Sequence, residues 1–377
     1  MRLLKALNQE RFLMSKVLKM DKGAEQSVIG LLKFLLDSGN VHGVLTLRQI
    51  NESGSVDYGL VTHSRELDRA VPLMPVMPAN AAQILSRLTP SRKPLAVVVK
   101  PCELRGFVER IKREQGSLEN LLVISQTCGG VIPLKVSIES DKKKLTADYY
   151  QVISKGEIPD NIRPSCKACE YFVPMTADIT VSMIGESVSS CRIYLNSDKA
   201  ISMTQGFDVT AEDGEPDASM TEAYLTKRQD ERSRLFKEIQ SGQKGLDDLL
   251  QVFSKCIGCH ACSRVCPICY CVLCDFESRH FDQNATLFEK ELKQKGGLRL
   301  PPDTLFFHLG RMSHMSFSCV GCGQCTDVCP AGIDVSVQFM KTGEAAAALF
   351  NYVPGKDMDE EIPVMVFKEE EFKELGE

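Results

Sequence analysis

Cys256-Ile-Gly-Cys259-His-Ala-Cys262-Ser-Arg-Val-Cys266-Pro267 and Cys319-Val-Gly-Cys322-Gly-Gln-Cys325-Thr-Asp-Val-Cys329-Pro330 repeat one pattern. Three cysteines stand at two-residue spacings, a fourth follows after three more residues, and proline closes the run. This is the spacing of paired [4Fe-4S] clusters: three thiolates wrap one centre and the fourth cysteine crosses to the other. On that rule Cys256, Cys259, Cys262 and Cys329 hold one cluster, and Cys319, Cys322, Cys325 and Cys266 hold the second. Structural zinc asks for one tetrahedral set, usually two pairs across a longer loop, and the doubled triplet fits that poorly. The crossing keeps the two centres close enough for fast electron transfer.

Between Cys266 and Cys319 lie 52 residues, far more than a compact bacterial ferredoxin carries. Residues 285–295 and 303–315 read as helices there, and from 245 to about 350 the pattern predicts helices and no strand. Upstream, a charged helix over 221–240 follows a polar, Gly- and Pro-containing linker at 211–219. The tail after Asn351 is acidic and reads as extended, a candidate for wrapping a partner.

The first 200 residues have another character. Residues 1–20 read as an amphipathic helix, and 27–37 as a denser one stopping near Gly39. Strands are predicted at 44–47, at 96–99 ahead of Lys100-Pro101-Cys102, at 121–124 ahead of Thr127-Cys128-Gly129-Gly130, and at 178–184. Strands alternating with helices imply an α/β layer with a site at the strand ends. The expected architecture is an α/β N-terminal domain (1–200), a linker and helix (201–244), an all-α dicluster ferredoxin-like domain (245–350) and an acidic tail (351–377).

Composition narrows the function. The chain has 377 residues and a net charge of -5, which argues against nucleic acid as a partner. No apolar run reaches the roughly 18 residues of a membrane span, and no signal-peptide pattern opens the sequence, so a cytoplasmic protein is expected. All 16 cysteines lie after residue 101. In a reducing compartment clustered cysteines point to metal, not to disulfides.

Eight cysteines are outside the doubled motif. Cys102, Cys128, Cys166 and Cys169 form a looser set, compatible by spacing with zinc or with an iron-sulfur cluster. Cys191, Cys269, Cys271 and Cys274 make one further set of four, readable as a fourth centre or as buried thiols beside the first cluster. His260, inside the first motif, reads as a solvated loop residue or as one that tunes the first cluster by hydrogen bonding, and His308 and His314 are read as packing residues. Lys142-Lys143-Lys144 reads as a solvated loop. Lys100, at a strand end, is a candidate for holding a flavin phosphate. No catalytic residue is assigned, and no G-x-G-x-x-G fingerprint is present.

The 245–345 region resembles the α-helical dicluster ferredoxin domains of succinate dehydrogenase and heterodisulfide reductase subunits, most closely at Phe317-Ser-Cys319-Val-Gly-Cys322-Gly-Gln-Cys325. Residues 20–195 resemble the coenzyme F420 hydrogenase/dehydrogenase β-subunit family, which includes F420-dependent formate dehydrogenase β subunits. The resemblance is carried, in order, by Lys100-Pro101-Cys102, Leu122-Val-Ile-Ser-Gln-Thr-Cys128-Gly129 and Arg163-Pro-Ser-Cys166-Lys-Ala-Cys169, then Ala177-Asp178-Ile179-Thr180. It implies FAD beside a third [4Fe-4S] cluster whose ligands are Cys102, Cys128, Cys166 and Cys169. Hydride exchange with coenzyme F420 and onward passage of single electrons are also implied. The partners implied are a catalytic dehydrogenase or hydrogenase subunit and heterodisulfide reductase-type subunits. The chain departs from the family at Glu25-Gln26-Ser27, where many members have Gly-Gly, and at Glu103, where Gln is common. A flavin-free relay subunit linking a dehydrogenase to heterodisulfide reductase is the alternative reading.

Overall fold

In a computed structural model that describes residues 16–51, 54–209, 211–278, 284–297 and 304–366, eight strands form one mixed sheet. They are β1 (Lys16–Met20), β2 (Gly43–Gln49), β3 (Val56–Val61), β4 (Leu95–Val98), β5 (Leu121–Gln126), β6 (Ile179–Val181), β7 (Cys191–Leu195) and β8 (Glu212–Asp213). Their spatial order is β3-β2-β4-β5-β6-β7-β1-β8, with β2, β4, β5 and β6 parallel and the other pairings antiparallel.

The apolar runs at β4 and β5 have a direct cause. Both strands are buried along their whole length, and alternate residues enter different cores. Ala96, Val98, Leu122 and Ile124 face Val28, Leu31, Leu32 and Leu35 of α1 (Ala24–Asp37). Leu95, Val97, Leu121 and Val123 face Ala82 and Leu85 of α2 (Ala81–Leu88) and Leu104 and Phe107 of α3 (Pro101–Ile111). Helices on both faces leave the carboxyl ends of β4 and β5 as the open edge, and Cys102 and Cys128 stand just beyond them.

Further along come α4 (Lys142–Ser154), α5 (Ala218–Gly242), α6 (Leu246–Val252), α7 (Ala285–Lys295), α8 (Thr304–Met315) and α9 (Val335–Phe350). The described elements from Leu246 onward are helices and single helical turns. Phe253, Ile268, Met312, Met315, Val320 and Phe339 form their core, ringed by motif cysteines.

The C-terminal part is fastened to α3, whose polar side chains reach across in sequence. Arg105 Nε donates to Pro354 O (2.8 Å) and Nη1 to Val320 O (3.3 Å). Arg110 Nη1 reaches Pro267 O (2.7 Å), and just beyond the helix Arg113 Nη2 reaches Ser318 Oγ (2.6 Å). From α2, Gln83 Nε2 donates to Arg264 O and Cys266 O (both 3.0 Å).

Four expectations need correction. Residues 16–20 are a strand, paired to β7 and β8, not the end of a helix; residues 1–15 lie outside the described part. Lys142–Lys144 open α4 instead of a loop, because Asp141 caps their backbone N–H groups. The linker at 211–219 contains β8, so the sheet runs past residue 200, and Asp217 caps α5. The tail is not extended where it is described: Tyr352 is 2% exposed and its hydroxyl donates to Glu109, while the Gly355 N–H donates to Glu109 Oε1 (2.8 Å).

Candidate iron-sulfur site

Cys102 lies in the first turn of α3, and Cys128 follows β5, its N–H bonded to Phe172 O (2.8 Å). Cys166 sits in the short turn Pro164–Lys167 with Cys169 just after it. That turn is tied to the sheet edge by Arg163 N–H to Val131 O (2.9 Å) and Val131 N–H to Cys166 Sγ (3.4 Å). Gly130, at φ 114°, makes the approach possible: a Cβ there would meet Ile162 at 2.5 Å and the Cys166 Cβ at 3.2 Å.

Burial is the largest effect on these thiols. It pushes Cys128 up to about 12, reinforced by the charge of Cys166. It also raises Cys102, where the charges of Cys322, Glu103, Cys128 and Cys166 add to it, and Cys166, where Cys169 adds and Arg163 opposes. Such thiols stay protonated until a metal takes the proton's place, so loading the site releases protons.

The doubled motif gathers into two groups. Cys266, Cys319, Cys322 and Cys325 line one apolar-walled cavity together with Arg311. Burial and mutual charge push Cys322 up to about 12 and Cys319 up to about 11. Cys262 feels the charges of Cys256, Cys259 and Cys329. Among the described residues no three His, Cys, Asp or Glu side chains converge as a single metal ion requires. A cube of four irons and four sulfides holds its thiolates further apart than one ion does, and a four-cysteine cavity suits it.

The two motif loops share a backbone solution. Gly258 and His260 in the first, and Gly321 and Gly323 in the second, take positive φ between 56° and 76°. At Gly323 a side chain is excluded as well, because its Cβ would stand 2.2 Å from Ser165 Oγ. The second motif loop is thereby pressed against the turn that carries Cys166. Cys322 packs against both the sheet core and the helical core, and its carbonyl accepts from Arg163 Nη1 (2.9 Å).

Sequence reasoning missed the buried arginines, a residue type expected at the surface. Arg163 pairs with Asp327, whose carboxylate also accepts the Leu134 N–H (3.1 Å). Arg311 Nη1 donates to Cys262 Sγ (3.0 Å). Arg228 comes from α5 to the Cys128 loop. His308 stacks on Phe253 (4.0 Å) with Nε2 3.4 Å from Cys256 Sγ, and burial lowers its pKa to about 4, so the ring is neutral. His260 is not simply solvated: it stacks on Phe307 (4.2 Å) and meets Glu277 (3.0 Å), whereas His314 is exposed instead of packed.

Cys191 is buried in β7 beside Ser27, while Cys269 has Cys266, Cys274 and Cys271 as its thiol neighbours. The further set of four is therefore divided between the sheet and the loop after the first motif. That loop exposes Cys271, with Val272 and Leu273 at its tip.

Lys100 is 2% exposed, and its charge acts on both Cys128 and Glu25. Glu25, in the first turn of α1, accepts from Leu73 N–H (3.1 Å) and the Tyr150 hydroxyl (3.2 Å). Burial outweighs these bonds and pushes its pKa from 4.5 to about 7. A carboxyl raised on folding contributes stability that is complete below its unfolded pKa and is lost as pH rises through about 7. Denaturant midpoints of Glu25→Gln and the parent should therefore diverge between pH 4.5 and about 7, the parent falling relative to the variant. Parallel curves would return Glu25 to the ordinary carboxylate range.

Fold and thiol geometry define an iron-sulfur electron-transfer protein, and residues 252–333 match the family model described as a 4Fe-4S dicluster domain. Over most of its length the chain is similar to the F420-dependent formate dehydrogenase subunit beta of Methanocaldococcus jannaschii, at 26% identity over 88% of this chain and 92% of that one. It is also similar to the F420-dependent formate dehydrogenase 1 subunit beta of Methanococcus maripaludis, at 29% identity over 90% of this chain and 92% of that one. Both relatives are subunits of oxidoreductases, as the resemblance at Cys102, Cys128 and Cys166 implies. A chain of the F420-reducing [NiFe] hydrogenase complex from Methanosarcina barkeri gives a TM-score of 0.42 at 10% identity, over 60% of this chain and 91% of that one. Among the described residues no helix is long and apolar enough to cross a membrane.

Proposed function

We propose that this chain is the flavin-iron-sulfur subunit of an anaerobic, cytoplasmic oxidoreductase complex, akin to the β subunits of formate dehydrogenases and hydrogenases. Bound FAD would exchange two electrons with a carrier such as coenzyme F420 and release them singly to three [4Fe-4S] clusters. Cys102, Cys128, Cys166 and Cys169 hold the cluster nearest the flavin. Cys266, Cys319, Cys322 and Cys325 hold the middle one, and Cys256, Cys259, Cys262 and Cys329 the last. In this reading residues 245–350 are an all-α dicluster domain. The supporting observation is that Cys322, lining one cavity with Cys266, Cys319 and Cys325, packs against the same sheet core as Cys102, 220 positions earlier.

In this reading Lys100, whose charge reaches Glu25 in the first turn of α1, would hold a flavin phosphate. Cys259 is exposed, which suits the last cluster to a partner: a catalytic dehydrogenase or hydrogenase subunit, or a heterodisulfide reductase-type subunit. The sequence has no molybdopterin- or nickel-site pattern, so formate or hydrogen chemistry belongs to such a partner. Anaerobic purification with native partners, followed by flavin and iron analysis, tests the reading. About one FAD and about 12 Fe per chain are expected. A complex that turns over with clusters and no flavin would instead make the chain a flavin-free relay.

A further inference from the structure

α5 exposes most of its 25 residues; the two it buries are Tyr224 and Arg228, one turn apart. Arg228 is 0% exposed. Its Nη2 donates to the Gly129 carbonyl and to the Tyr224 hydroxyl, both at 2.8 Å, whereas Nε and Nη1 are buried without a hydrogen-bond partner. Among the described residues no carboxylate forms an ion pair with it. Glu170, which lies along the same helix face, is taken by Arg232 (3.2 Å) and Gln229 (3.0 Å).

A guanidinium does not give up its proton, and a buried charge without a counter-charge is strongly destabilising. The groups in reach that can carry negative charge are the Tyr224 hydroxyl, which burial keeps protonated, and the thiols of the N-terminal set: Tyr224, Cys169 and Cys166 act on Arg228, and Arg228 acts on Cys128. Neutral thiols do not balance a cation. Four thiolates around an iron-sulfur cube do, since the assembly is anionic and gains one more negative charge on reduction.

The contrast with Arg163 sharpens the assignment. Arg163 also lies beside Cys166, but Asp327 already cancels its charge. Arg311 resembles Arg228 in having thiols as its anionic neighbours, and it serves the dicluster region.

We propose that Arg228 is the counter-charge of the Cys102, Cys128, Cys166 and Cys169 centre, favouring its reduced form. This rests on the reading that those four cysteines hold a cluster, and iron analysis of the parent decides that separately. It is a positioning role, exerted through the cluster's charge.

The test is an EPR-monitored redox titration of the anaerobically isolated complex carrying Arg228→Met, Arg228→Lys or Tyr224→Phe. In Arg228→Met one of three cluster midpoints falls by at least a tenfold change in the reduction equilibrium, which is about 59 mV for one electron. The other two midpoints hold, Arg228→Lys recovers most of the shift, and Tyr224→Phe, which keeps the charge, shifts it least. Loss of about four Fe per chain in Arg228→Met but not in Arg228→Lys supports the same role. Unchanged midpoints in a fully loaded Arg228→Met complex overturn the proposal. Equal iron loss in the Met and Lys variants, or a shift shared by all three clusters, overturns it too.

Discussion

Replacing Cys322 by alanine is expected to abolish electron delivery from the two-electron carrier to the partner while flavin is still reduced by that carrier. About four of about 12 Fe per chain are lost with it. The expectation follows from where Cys322 stands. It lines the cavity shared with Cys266, Cys319 and Cys325, and it also packs against the sheet core beside Cys102. In the proposed assignment, removing this one thiolate would deprive the middle centre of a ligand without touching those on either side. Stopped-flow reduction of flavin, read beside steady-state turnover of the complex, separates the two halves. Delivery at the parental rate after loss of the middle iron would mean that electrons do not pass in the proposed order.

The second large effect concerns stability. Glu109 is fully buried, and Arg113 Nη1 (3.1 Å), Lys112 Nζ (3.8 Å), the Tyr352 hydroxyl and the Gly355 N–H all converge on its carboxylate. Glu109→Ala leaves two cations and a hydroxyl buried without their acceptor, at a cost of about 3–5 kcal/mol. Because two of the lost contacts belong to the tail, limited proteolysis should cut near residue 355 in the variant and spare the parent. A variant with parental denaturation and cleavage would show that the tail is held without Glu109, by the Arg105 bond to Pro354 O and the close contact of Gly355 with Arg105.

How much of this could be read in advance varies by residue type. The doubled cysteine pattern named its chemistry because ligand spacing is imposed by the cluster. The runs at 96–99 and 121–124 disclosed themselves because strands buried on both faces are apolar nearly throughout, β5 turning polar only at its end with Ser125 and Gln126. Lys16–Met20 misled, since a short stretch with Val17, Leu18 and Met20 apolar suits a helix or a strand, and only pairing with β7 decides. The tail looked extended because acidic composition says nothing of one buried tyrosine and one glycine that dock it. Arg163, Arg228 and Arg311 left no signal, because an arginine meant for the interior looks the same in sequence as one meant for water.

One helix deserves a genetic reading. α3 carries Cys102 in its first turn, and its next turns supply Arg105 and Glu109, both engaged with the 352–355 stretch, and Arg110, engaged with Pro267. Inserting or deleting a single codon between Cys102 and Arg105 would turn every later contact by about 100° and move it about 1.5 Å along the axis. Such a mutant would keep all 16 cysteines and both motifs intact, yet the two halves would no longer meet in register. Natural selection therefore has a length to preserve here as well as a set of ligands, and a comparison of genes that checks only the cysteines would pass over the lesion.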